Sequence, residues 1–156
     1  MKEHLSHFSA AEIWGIPYIE AVIGFKIAET NSIDITVSKQ EERFRNNGRL
    51  VHSCQCRLPG SAVVIRSGEG VSSPELVFLE LAGKLNIPQL ILLGLQLCSH
   101  SPGCSSEAIT TRQKLETFLN KTSGHRGHRK AVQAIKYVEN GSASIMESIA
   151  YMILTL

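Results

Sequence analysis

Residues 73–98, SPELVFLELAGKLNIPQLILLGLQLC, decide the fold class. Ser73, Pro74 and Glu75 put a capping hydroxyl, a first-turn proline and an acidic first turn in the order a helix start favours. The helix is expected to run to about Lys84, where Asn86-Ile87-Pro88 breaks it. A second helix follows, from about Pro88 to Cys98. Leu90, Ile91, Leu92, Leu93, Leu95 and Leu97 fall nearly all round it, so it is expected to lie buried at the centre of the molecule.

Upstream of this pair the periodicity changes. Residues 33–38 (IDITVS) alternate apolar and polar, as a half-buried strand does. Leu50–Leu58 and Ala62–Arg66 read as two more strands, joined through the polar 39–48 segment and Pro59-Gly60. Ser67–Ser72 reads as a glycine-rich connection. Nearer the start, Ser9 and Glu12 have capping-box spacing, and Phe8 and Ile13 are placed as a hydrophobic staple. Gly15 and Pro17 end that helix early, and Trp14 is expected to anchor it to the core. Downstream, Ser99–Ser106 reads as a loop. Thr110 and Gln113 form a capping box before a helix to about Asn120, His128–Glu139 is a helix, and a last one starts at Ser144 with Glu147. The sum is an α+β domain: a small, mostly antiparallel sheet within residues 33–66, and a helical C-terminal half carrying most of the core.

The 156 residues suit one domain with a real core. The net charge of +2 hides a segregation: residues 107–139 carry +4 and the remainder −2. No apolar run approaches the ~20 residues of a membrane span, and no signal-peptide core follows Met1, so the expected location is cytoplasmic. Four cysteines at 54, 56, 98 and 104 are then not expected to pair as disulfides.

Three groups of residues invite a functional reading. His52, Cys54 and Cys56 share a strand face, with His100 and Cys104 in a later loop. The set lacks the C-x2-C knuckle of structural zinc sites, so no metal is expected and the cysteines read as core residues. His125, Arg126, His128, Arg129 and Lys130 mark a basic loop and helix start. Arg126, Arg129 and Lys130 are the candidate nucleic-acid contacts, although cations at a helix N-terminus oppose its dipole. Glu147 is explained by its capping box. One carboxylate near the end cannot make a metal-dependent nuclease site, and no nucleophile elbow, phosphate-binding loop or dinucleotide fingerprint is present. No catalytic residue, cofactor or small-molecule substrate is therefore assigned.

Several stretches in order resemble one bacterial family. Leu5–Pro17 (LSHFSAAEIWGIP), Val51-His52, Val71–Glu75 (VSSPE) leading to Leu79–Ala82 (LELA), Gly127–Ala131 (GHRKA) with Ala134-Ile135, and Gly141–Ser148 (GSASIMES) are similar to the successive motifs of AbiEi-like antitoxin regulators. The likeness is to their actinobacterial form with an attached Vsr-like endonuclease domain. Ile145 stands where that family usually has proline. The resemblance implies that residues 1–140 form the middle, antitoxin-type domain and residues 141–156 a truncated first helix of a nuclease-like domain. The family's winged helix and catalytic strands would be missing flanking domains. It implies a non-catalytic regulatory module acting in toxin control, with DNA as the candidate partner. The alternatives are a remnant of a Vsr-like nuclease lacking its catalytic core, and an interaction domain with no nucleic-acid role.

Overall fold

A computed structural model describes residues 3–16, 18–24, 26–30, 32–39, 48–99, 107–141 and 145–155. The expected connections at 40–47 and 100–106, with His100 and Cys104, and the positions Pro17 and Ser144 lie outside the described residues.

The fold is α+β, and the sheet is mixed. Its five strands, β1 (Glu3–Leu5), β2 (Ile33–Val37), β3 (Arg49–Ser53), β4 (Val63–Arg66) and β5 (Glu69–Ser72), lie in the order β3-β2-β1-β5-β4. β1 runs antiparallel to β2 and β4 to β5, whereas β1–β5 and β2–β3 are parallel. Only half of the pairings are therefore antiparallel. The central strand is the one the sequence conceals, because Glu3-His4-Leu5 is too short to show alternation. β5 replaces the expected glycine-rich connection. Ser67 and Gly68, at φ +50° and +85°, form the two-residue turn that folds Glu69–Ser72 back onto β4. The second strand is also shorter than expected: it ends at Ser53, before the cysteines.

Seven helices are described. α1 (His7–Ile13) and α2 (Ile19–Ile23) precede β2. α3 (Pro74–Ala82) and α4 (Ile87–Leu97) form the centre. α5 (Arg112–Asn120), α6 (His128–Ala134) and α7 (Ile145–Thr155) complete the chain. The Ser73 hydroxyl accepts from the Leu76 N–H, and Asn86 and Gln89 form a reciprocal capping box. Leu76, Leu79, Leu81, Leu90, Ile91, Leu93 and Leu97 are fully buried. α7 closes against α4, where Gln96 donates to the Ser148 hydroxyl at 2.8 Å.

Local expectations fail in instructive places. α1 begins at His7, two residues ahead of Ser9, so no capping box forms there; the Ser9 hydroxyl accepts instead from the Asp34 N–H at 2.9 Å. Ile13 is 40% exposed and makes no staple. The cap of α5 is Thr111 rather than Thr110, whose hydroxyl donates to Glu75. α6 is regular only to Ala134 and then tightens into a 3-10 turn over Ile135–Tyr137. Trp14 packs against the core as expected, half-buried, with its indole N–H donating to Ser72 O and the Arg66 guanidinium over its ring.

Candidate functional site

The alternation of β2 predicts that its polar residues face water. Asp34 and Thr36 are instead 4% and 3% exposed, because α1 and α3 cover that face of the sheet. Residues two apart on a strand share a face, and the register sets His4 of β1 and His52 of β3 on either side of Thr36. A polar stripe thus crosses three strands beneath two helices.

The helices add the rest. His7 opens α1 and Glu80 lies on the inner face of α3. His7 has φ +50°, the left-handed conformation that a non-glycine residue adopts only when its surroundings impose it. Here the His7 N–H donates to the buried Glu80 carboxylate at 3.0 Å, and the ring Nδ1 lies 3.0 Å from the Ser6 hydroxyl. Asp34 is fixed through its backbone, since its carbonyl accepts from the Ser6 N–H and its own N–H donates to Ser9. Its carboxylate is 2.6 Å from His52 Nε2 and 3.5 Å from the Lys84 ammonium. The His7 and His52 rings stack, with centroids 3.8 Å apart.

Burial pushes the His7 imidazole down to about 4, with His52 and Lys84 acting in the same sense against the carboxylates of Glu80 and Asp34. Burial works the other way on both carboxyls, yet each is held below its ordinary value. The His52 hydrogen bond and the Lys84 charge do this for Asp34, and His4 and His7 do it for Glu80. His4 Nε2 is 3.9 Å from Glu80, too far for a hydrogen bond. It and Thr36 Oγ1 are buried without a hydrogen-bond partner among the described residues.

His7, Thr36, His52 and Glu80 of this cluster floor a cleft of about 530 Å³ whose walls include Cys54, Cys56, Lys84, His125 and Arg126, and Asp34 lies behind them, in contact with His52. The two cysteines follow β3 along the cleft wall. Cys54 has its thiol pushed up by burial, and the Cys56 thiol points to Gly124 O at 3.4 Å. Cys98 belongs elsewhere: it is fully buried in the core, and burial pushes its thiol up to about 12.

The three candidate nucleic-acid residues separate. Arg126 is exposed and lines the histidine cleft. Arg129 is exposed and lines a neighbouring concavity, which shares Gly124 and His125 with the first. Lys130 lines that second hollow too, but its ammonium donates to Leu85 O at 2.7 Å, just past the end of α3. A cation poorly placed for the dipole of its own helix therefore serves the carbonyl end of another.

Sequence reasoning missed the assembly of His7, Asp34, His52 and Glu80. One signal was present: the LSHFSAAEIWGIP, VH and LELA stretches carry His7, His52 and Glu80 in turn. No family model, curated protein or solved structure matches the chain.

Proposed function

We propose that the chain is a non-catalytic regulatory module of the antitoxin type, working in the cytoplasm beside DNA, and that it meets phosphate through Arg126, on the loop before α6, and Arg129, in the first turn of α6. The observation that carries this reading is a pair of exposed guanidinium groups flanking Gly127, neither in an ion pair with any described residue. Three other basic side chains are engaged within the fold: Lys130 by Leu85 O, Lys84 by Asp34, and Arg112 by Glu116 and Glu139. Two exposed cations at a loop–helix junction pinned to α3 fit a weak, backbone-directed contact better than base-specific readout.

The test is fluorescence anisotropy of a labelled DNA duplex at several salt concentrations. Binding should weaken with salt, and replacing Arg126 and Arg129 together by alanine should lower the slope of log K against log salt by about 2. Lys130→Ala should leave that slope nearly intact and lower the melting temperature instead. Absence of salt-dependent binding by the wild type would favour an interaction domain with no nucleic-acid role.

A further inference from the structure

We propose that His7, Asp34 and His52 form a binding site for a divalent transition metal of the zinc class, on the floor of the cleft. The inference is independent of the DNA reading.

Three observations carry it. One ligand atom from each of the three side chains lies within 4.8 Å of the other two, close enough to converge on a single ion. The donors come from three separate segments held by the sheet and by the backbone clamp of Ser6 and Ser9 on Asp34, so their proximity does not depend on a loose loop. His7 reaches its place only through a left-handed backbone, a conformation costing on the order of 1 kcal/mol or more that the fold retains here.

The chemistry of the donors selects the ion. Two imidazoles with one carboxylate suit zinc and its neighbours in the first transition row, whereas calcium and magnesium seek all-oxygen shells. The Ser6 hydroxyl engages Nδ1 of His7, which leaves Nε2 to ligate, and this is the usual division of labour between the two nitrogens of a metal-bound histidine. Three protein ligands leave a fourth position toward the cleft.

Two adjustments are needed. Asp34 Oδ1 and His52 Nε2, now 2.6 Å apart across a shared proton, must part to about 3.3 Å to accommodate bonds of about 2.0 Å at a tetrahedral angle. The metal replaces that proton. Lys84, 3.5 Å from the same carboxylate, must swing away; its side chain is 31% exposed and has open solvent to move into. Lys84 is therefore a built-in competitor for the site.

The test uses the full chain after chelator treatment, titrated with zinc chloride in a calorimeter and with cobalt(II) in a visible spectrometer. The expected result is one ion per chain, with affinity lowered at least tenfold in His7→Ala and in His52→Ala. Lys84→Met should raise affinity, an effect that a purely structural histidine cluster would not produce. Cys54→Ser with Cys56→Ser should change nothing, and the cobalt spectrum should lack thiolate charge-transfer bands. If either alanine variant fails to fold by circular dichroism, Asp34→Asn replaces it, with the same tenfold loss required. No stoichiometric binding by the wild type would overturn the proposal. So would binding indifferent to the histidines and Asp34, or thiolate bands lost with the cysteines.

Discussion

The imidazole of His7 lies against that of His52, with ring centroids 3.8 Å apart and planes inclined by 28°. Two stacked imidazoles cannot both carry a proton cheaply, and only His52 has a carboxylate in hydrogen-bonding contact with its ring, from Asp34 at 2.6 Å. The cluster is thus built around a neutral His7. That neutrality makes the fold sensitive to acid.

In metal-free protein, stability should fall as the pH drops from 6.5 to about 4. The native value of His7 lies below its ordinary one, so in this window the unfolded chain binds a proton that the native chain refuses. The contribution is whole above 6.5 and is lost progressively down to about 4. At roughly 1.4 kcal/mol per pH unit it amounts to on the order of 3 kcal/mol. Burial sets the direction; His52 and Lys84 reinforce it, and Glu80 and Asp34 oppose it. The depressed carboxyls of Asp34 and Glu80 add a further loss at the acid end, since each must be protonated as the chain unfolds there. Urea melts of wild type and His7→Gln across this range measure the effect. The variant should show a distinctly flatter profile, and parallel profiles would mean that His7 is not the responsible group.

How much of this was legible depends on how far apart the cooperating residues lie. α3 and α4 could be read because their signals are local: a cap within three residues of each start, and apolar residues on every side. β1 and β5 could not, because three residues show no period and Ser67-Gly68 looks like loop until Arg66 is known to pair with Glu69. The candidate site was the least legible. Its members span His7 to Glu80, and a strand with alternating polarity reads as half-exposed unless something covers its polar face. Asp34 looks like a solvent residue in the sequence, yet α1 packs over β2 and buries it, with Lys84 from beyond α3 reaching its carboxylate. The basic loop was readable as a cluster but not as separate roles, since nothing local reveals that Lys130 reaches Leu85 O.

Gly127 fixes that loop to the body of the molecule. It has φ +88°, and a Cβ added there would stand 2.6 Å from Gly83 N and 2.8 Å from the Ala82 carbonyl carbon. Both are backbone atoms at the end of α3, so neither can turn aside as a side chain would. Gly127→Ala combines a left-handed penalty of about 1–2 kcal/mol with this overlap. The expected loss is about 3 kcal/mol in urea denaturation, together with the Lys130 contact. A near wild-type midpoint would mean that the loop does not sit against α3 in solution.

Gly94 offers the sharpest check on the core, because two effects of opposite sign meet there. It lies within α4, where alanine would ordinarily be better by about 1 kcal/mol through helix propensity. The space around it says otherwise. A Cβ would fall 2.5 Å from Val138 Cγ2 and 3.1 Å from Phe78 Cε2, and both neighbours are fully buried. Overpacking of this kind costs about 1–3 kcal/mol, so Gly94→Ala should be net destabilising despite the better helix former. The attribution is tested by a double-mutant cycle with Val138→Ala, which removes the methyl groups in the way. That substitution leaves a cavity and should cost about 1–3 kcal/mol alone. In its background both valine methyls are gone and only Phe78 Cε2, at 3.1 Å, still crowds the added methyl, so most of the propensity gain should reappear. The glycine substitution should then be close to neutral, with a coupling energy of about 1 kcal/mol or more. Simple additivity of the two changes would place Val138 away from α4 and contradict the packing of the chain after α6 against the central helix.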